Sequence, residues 1–287
     1  MDEERVGRGY AEHLNDADLM LLSRAAGVSA DADGLRRNPA LVPRLLEREE
    51  MFEEFFGRQE DRPLVGVSPF LAFAVLVHHV AAELTDIRYL PDRAGPRQRV
   101  PVFDVPQLHD FLGAPWRRLF LAELLASFAR VSSGRYWTKT PHGWRSRRYN
   151  ELDPLRLTGL VDAVPEVERP GVYRRLGDVA LFLTGIFPDY VSMYALRPFD
   201  AARLLRAAGV SRDVHDELAA APPLTLFEHL GHRWYRQAYS LVPVASEQLE
   251  VVAEVADRFH QARRVLNHIA DRYLFQAGNP WFPSPEG

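Results

Sequence analysis

The chain of 287 residues contains no cysteine. Disulfide frameworks, thiolate zinc sites, iron–sulfur clusters and cysteine nucleophiles all need that residue, so its absence excludes them. Lysine is nearly absent too, with one lysine against 34 arginines, a bias typical of a GC-rich genome. The sequence also lacks the P-loop, the GxGxxG dinucleotide motif and the GxSxG nucleophile elbow. Nothing in it therefore predicts a common nucleotide or hydrolase site.

Long apolar runs are missing as well. The longest uncharged one, from Phe70 to Val77, is far shorter than the roughly 18 residues that span a bilayer. The N-terminus, Met1-Asp2-Glu3-Glu4, is acidic where a signal peptide is basic. With 47% hydrophobic residues and a net charge of −4, the chain also lacks the composition of a disordered protein. These features predict a folded, cytoplasmic protein with no membrane partner.

Helical periodicity dominates what is present. Ser68-Pro69 is a good N-cap followed by proline, and the segment from Pro69 to about Thr85 is apolar nearly all round, as in a buried central helix. Further helices are expected from Pro115 to about Ala129, from Val172 to Phe187 and from Ser246 to about Phe275. The last contains apolar residues at helical spacing, which predicts an apolar stripe that packs in the core. On the helix from Val172 to Phe187, Gly177 and Gly185 indicate close packing against another helix. The pattern predicts a mainly α fold, a multi-helix bundle with one inserted β-hairpin.

Four prolines between Pro91 and Pro106 mark the best domain boundary. We expect an N-terminal helical part at residues 1–90, a helical bundle at 107–275 with a basic hairpin at 134–149, and a proline-rich tail at 276–287. A single domain is the alternative.

The hairpin lies in the most basic part of the chain. Residues 111–150 carry eight positive charges and one acid, which leaves −11 for the remainder. Thr140-Pro141-His142-Gly143 has the preferences of a type I turn, and this turn pairs Lys139 with Trp144 and Tyr136 with Arg147. Alternation then turns Tyr136, Thr138, Arg145 and Arg147 outward, while Trp137 and Trp144 are expected to anchor the hairpin on the helices.

The leading prediction is a non-enzymatic binding protein that contacts nucleic acid or another polyanion through this hairpin, because arginine and lysine neutralise phosphates and tyrosine stacks on bases. The alternative is a surface hairpin that docks on the acidic remainder of this chain or on a partner protein. The predicted contact residues are Arg135, Tyr136, Lys139, Arg145, Arg147 and Arg148.

A second hypothesis is a metal-dependent helical-bundle enzyme. His79 and Glu83 lie four residues apart on one helix, and Glu228 and His232 do so on another. Imidazole and carboxylate ligands from two helices suit iron, manganese or zinc. The competing interpretation is that His79 is a histidine of the core and that Glu228 and His232 lie on a solvated face. The leading prediction, a binding protein, needs no cofactor.

A third hypothesis rests on Arg263 and His268, which form an R-x4-H pattern that resembles the motif of HEPN-type ribonucleases. In such an enzyme arginine stabilises the phosphate and histidine transfers a proton. The alternative is a solvated helix face opposite the apolar stripe.

Three phrases carry a family resemblance: SPFLAFAVLVH from Ser68, FLAELLASF from Phe120, and RPGVYRRLGDVALFLTGIFPD from Arg169. The chain resembles a family of uncharacterised actinobacterial proteins in which such phrases occur in the same order. The resemblance implies that residues 68–189 belong to one fold unit, and it implies no activity.

Overall fold

The computed structural model describes residues 3–28, 30–57, 67–95, 98–129, 133–140, 143–150, 152–193, 196–244, 246–275 and 282. For residues 93–95, 98, 133–140 and 143–150 it describes the backbone alone. The N-terminal helices are α1 (Glu3–His13), α2 (Asp16–Ala25), α3 (Ala32–Arg37), α4 (Leu41–Leu46), α5 (Glu49–Phe56) and α6 (Pro69–Glu83). Strands β1 (Leu90–Gly95) and β2 (Gln98–Val102) follow, and then α7 (Val105–Gly113) and α8 (Pro115–Phe128).

The second half begins with strands β3 (Ser133–Thr140) and β4 (Gly143–Asn150). Its helices are α9 (Pro154–Val161), α10 (Arg169–Ile186), α11 (Pro188–Met193), α12 (Pro198–Ala207), α13 (His215–Ala220), α14 (Pro223–Ser240), α15 (Glu247–Asp257) and α16 (Phe259–Ile269). Short 3₁₀ turns lie at Glu166–Glu168 and Arg212–Val214, and a π-helical turn at Ala270–Leu274 ends α16.

This architecture confirms the mainly α prediction. Strand structure in the described residues is limited to two separate two-stranded sheets, β1–β2 and β3–β4. The β3–β4 hairpin is the predicted one. The β1–β2 hairpin lies where the sequence indicated only a proline-rich break, so the expectation of a single hairpin was incomplete.

The chain divides into two compact units. Unit 1 comprises residues 1–90, 101–129 and 268–282, and unit 2 comprises residues 91–100, 130–267 and 283–287. Residues 107–275 were expected to form one bundle, but α7 and α8 fall in unit 1, in which α8 packs against α6. The single fold unit of residues 68–189 that the resemblance implies is likewise divided, since residues 91–100 and 130–189 belong to unit 2. Both units are therefore discontinuous in sequence.

Helix α6 forms the centre of unit 1. Ser68 caps it, since its hydroxyl accepts a hydrogen bond from the Leu71 amide at 3.1 Å. Every residue from Phe70 to His78 is buried, because α4, α5, α7 and α8 pack around the helix. The prediction of a buried central helix is confirmed. The C-terminal part of the chain completes this core, where Phe282 stacks on Phe73 with ring centroids 5.3 Å apart.

Unit 2 is built around the packing of α10 against α14. Gly177 on α10 lies under the Tyr235 ring, and a Cβ there would come within 2.4 Å of it. Gly185 allows an equally close approach of Leu266 from α16. These contacts confirm the predicted glycine packing, because any larger residue would force the helices apart.

The apolar stripe of the C-terminal helix is also confirmed as core, with Val252, Val255 and Leu266 fully buried. The expected single helix is interrupted at Arg258, whose backbone leaves the helical region (φ −116°, ψ 30°). In the described part of the chain, no helix combines the length and apolar character needed to cross a membrane.

Candidate nucleic-acid interface

Strands β3 and β4 form a regular antiparallel ribbon, called here the β3–β4 ribbon. Its Cα pairs run without a bulge from Ser133 opposite Asn150 to Thr140 opposite Gly143. The pairs predicted from the turn are all present: Lys139 with Trp144, Thr138 with Arg145, Trp137 with Ser146 and Tyr136 with Arg147. The predicted register is therefore confirmed. The expected anchoring by Trp137 and Trp144 concerns side chains outside the described part and stays a prediction.

The ribbon is attached to unit 2 through α9, which packs against β4. Asp153 caps this helix by accepting from the Arg156 amide at 3.2 Å. Leu157 and Val161 are buried, and α9 packs in turn on α10 and α12. Among the described elements, β3 makes extensive contact with β4 alone. Helix α9 is therefore the described link between the ribbon and the helices of unit 2.

The charge of the chain follows its division into units. Unit 1 has a formal charge of −8 and unit 2 of +4, which together give the chain's −4. Residues 130–150 contain six arginines and lysines and no acid. The positive charge of unit 2 is therefore concentrated in the ribbon segment, and its helical remainder is close to neutral.

The four residues of the metal hypothesis fall two in each unit. His79 stacks on Phe52, with ring centroids 3.4 Å apart, and its Nδ1 lies 3.5 Å from a carboxylate oxygen of Glu49. Burial lowers the pKa of His79 despite the nearby carboxylates. Glu83 accepts hydrogen bonds from Tyr273 at 2.8 Å and from His268 at 3.1 Å. Burial by itself would raise the pKa of Glu83, but these hydrogen bonds together with the charges of His268 and Arg272 outweigh it and hold the pKa below its usual range.

The other pair is similarly engaged. Glu228 contacts the Arg263 guanidinium and lies 3.3 Å from His260 Nδ1, while His232 lies 3.9 Å from Asp257. Within the described residues, no group of three or more histidine and carboxylate side chains is arranged to hold a metal. The structure therefore adds no support to a four-ligand site, and that hypothesis stays a prediction from spacing.

Arg263 does not lie on a solvated face, and the expectation that it would is wrong. Its side chain is 3% exposed and its guanidinium contacts Glu228, both oxygens of Asp92 at 3.3 Å, and Asn267 at 2.7 Å. Arg264 is also buried and donates to the carbonyl of Pro91 at 2.8 Å. These partners leave Arg263 poorly placed to bind a phosphate.

His268, the second residue of the ribonuclease hypothesis, belongs to unit 1, whereas Arg263 belongs to unit 2. It is engaged with Glu83 as described above. The geometry of each residue is explained by partners within its own unit, and the ribonuclease hypothesis stays a prediction without structural support.

The network around Asp92 was missed by the sequence analysis. Asp92 lies in the proline-rich segment, and its arginine partners follow about 170 residues later in the chain. The one sequence feature that could have indicated this network is that Asp92 is a lone acid beside Arg93, Arg97 and Arg99. The network fixes the start of β1 on α16 within unit 2.

Comparison of the chain with protein-family models, curated proteins and solved structures finds no match. The resemblance described from the three phrases accordingly stays a prediction.

Proposed function

We propose that this protein binds nucleic acid through the phosphate contacts of the β3–β4 ribbon. The observation that carries the proposal is the ribbon itself: the segment richest in positive charge forms a regular hairpin in the predicted register, which pairs Tyr136 with Arg147 and Thr138 with Arg145. The contact residues remain Arg135, Tyr136, Lys139, Arg145, Arg147 and Arg148.

Two further observations support it. The six positive charges of residues 130–150 have no acid within that segment to neutralise them. Some described arginines elsewhere in unit 2 lie against protein acceptors, as Arg236 does with Asp257 and Arg233 with the Gly209 carbonyl. A cluster of cations without local acids attracts a polyanion, whose condensed counterions are released on binding.

The test is a salt titration of binding to labelled duplex and single-stranded probes of random sequence, measured by fluorescence anisotropy. Wild type should bind at about 50 mM salt and weaken steeply as salt rises, because each neutralised phosphate releases counterions. Arg145→Glu with Arg147→Glu should weaken binding to every sequence and flatten the salt dependence by about two contacts.

The matched control is Arg206→Glu with Arg212→Glu, which makes the same charge change at exposed positions on the helical part of unit 2. This control should bind like wild type apart from a small non-specific loss. Absence of wild-type binding at about 50 mM salt would refute the proposal. Unfolding of the ribbon variant would indicate that its arginines pair within the protein, since exposed charges are typically worth under about 1 kcal/mol.

A further inference from the structure

Two surface histidines on the helices of unit 2 each face a carboxylate. Nδ1 of His260 lies 3.3 Å from Glu228, and Nε2 of His232 lies 3.9 Å from Asp257. The two histidine side chains are 52% and 40% exposed, so a ligand in solution can reach both. Within the described residues, the opposite nitrogens, Nε2 of His260 and Nδ1 of His232, have no hydrogen-bond partner. These two nitrogens are therefore open to a ligand.

The packing of the helices places the two imidazoles about one helical turn apart. Glu228 and His232 are four residues apart on α14, so they share a face with a rise of about 6 Å between them. Helix α15 packs against α14 and ends at Asp257, three residues before His260. His260 therefore lies at the turn of Glu228, and His232 occupies the next turn. At this spacing one phosphate group can accept hydrogen bonds of about 2.8 Å from both rings.

The charges around the two rings differ. Burial and then the positive charge of Arg236 lower the pKa of His232, against the opposing charge of Asp257, so this ring is neutral and can accept a proton at pH 7. Burial by itself would raise the pKa of Glu228, but the His260 hydrogen bond and the charge of Arg263 outweigh it and lower that pKa. Glu228 is therefore ionised, and an ionised carboxylate orients an imidazole and stabilises its protonated form.

The chemistry of this cluster selects a class of substrate. Glu228, His232, Asp257 and His260 include proton donors and acceptors but no hydroxyl or thiol nucleophile. The nucleophile therefore has to belong to the substrate. RNA carries one, since its 2′-hydroxyl adjoins every phosphodiester and distinguishes it from DNA.

We propose that unit 2 also cleaves RNA, with His232 as general base and His260 as general acid. Nδ1 of His232 takes the proton of the 2′-hydroxyl as that oxygen attacks the adjacent phosphorus. The bond between phosphorus and the 5′-oxygen breaks, and Nε2 of His260 protonates the leaving oxygen. The products are a 2′,3′-cyclic phosphate and a 5′-hydroxyl, and the step consumes no co-reactant. Arg236, which contacts Asp257, brings positive charge to the same face, where it stabilises the charge that develops on the phosphate.

This activity goes beyond the proposed binding function and uses neither Arg263 nor His268 as a catalytic residue. The experiment incubates the full chain in EDTA with a labelled single-stranded RNA of mixed sequence, the same sequence as DNA, and a fully 2′-O-methylated RNA. The variants are His232→Gln and His260→Gln. The matched control is His109→Gln, which changes an exposed histidine of unit 1.

Wild type and the control should cleave the RNA alone and leave 2′,3′-cyclic phosphate ends, which mass spectrometry identifies. Each variant should cleave about 10²–10⁴-fold more slowly, the usual contribution of a general acid or base. Melting followed by circular dichroism checks that each variant is folded. Should His260→Gln melt below wild type because Glu228 loses a partner, His232→Gln and the end groups decide the test.

The outcomes separate this inference from the proposed function. An intact RNA after incubation with wild type, cleavage of the 2′-O-methylated probe, or variants as fast as the control would each overturn the ribonuclease. Anisotropy with the 2′-O-methylated probe measures binding without cleavage. Binding without cleavage of RNA therefore overturns this inference alone, and cleavage that is unchanged in Arg145→Glu/Arg147→Glu leaves it standing without the ribbon.

Discussion

Asp92 makes the sharpest stability prediction, because one carboxylate neutralises two buried guanidinium groups. Its oxygens lie 3.3 Å from two nitrogens of Arg263 and 3.4 Å from Arg264, whose side chains are 3% and 1% exposed. Asp92→Ala leaves Arg264 without this carboxylate and Arg263 with Glu228 as its remaining acidic partner. Breaking a buried ion pair by removing one member costs about 3–5 kcal/mol.

Asp92 itself is 17% exposed, so water screens part of the interaction. We therefore expect a loss near the lower end, about 3 kcal/mol. For a chain of this size such a loss lowers Tm by about 6–12 °C. Thermal melting and urea unfolding followed by circular dichroism measure it. Glu4→Ala is the matched control, since the Glu4–Arg8 pair is exposed and such pairs contribute about 0–1 kcal/mol.

A second variant separates loss of the ion pair from loss of packing. Adding Arg264→Met to Asp92→Leu removes the buried charge of Arg264 together with its carboxylate partner, and such replacements are often neutral or stabilising. Arg263 then keeps Glu228 as its acidic partner, as it does in Asp92→Ala. This double variant should therefore be more stable than Asp92→Ala. A cost below about 1 kcal/mol for Asp92→Ala would show that the buried arginines do not depend on this carboxylate.

Two further predictions concern the cores of the units. Gly231→Ala would place a Cβ 2.3 Å from the Phe259 ring and should destabilise the protein by about 1–3 kcal/mol through overpacking. The control Gly171→Ala, where the Cβ would meet open space, should be neutral or stabilising. Equal melting temperatures of the two variants would contradict the packing argument. Burial lowers the pKa of His78 from 6.5, against a weaker opposing effect of the Glu47 carboxylate, which lies 3.6 Å from its Nδ1. As the pH falls, His78 therefore takes up a proton at a higher pH in the unfolded chain than in the folded protein. The stability that a neutral His78 contributes is complete above about pH 6.5 and is lost as the pH falls towards the folded pKa. Between pH 7.5 and 5.5 the slope of the free energy of unfolding against pH should be smaller in His78→Gln than in wild type, by up to about 1.4 kcal/mol per pH unit. Identical slopes would show that the pKa of His78 is the same in the folded and unfolded states.

Features encoded by neighbouring residues were determined by the sequence itself. The run from Phe70 to His78 is apolar nearly all round, and this alone requires a helix buried on every side. Ser68 followed by Pro69 sets where that helix begins. The turn at Thr140 to Gly143 fixes the ribbon register, since a two-residue loop leaves one way to pair the flanking strands. The ribbon, and hence the leading candidate site, follows from these local patterns.

Tertiary structure decided the features that depend on distant partners. Arg263 and Arg264 have the local pattern of a solvated face, and they are buried because Asp92, about 170 residues earlier in the chain, neutralises them. Glu83, placed by its spacing with His79 in a metal site, instead accepts hydrogen bonds from His268 and Tyr273. The helical period records which face a residue occupies but carries no record of what lies opposite. The charge of a helical residue therefore does not determine whether that residue is buried, because its burial depends on the partners that the tertiary structure brings to it.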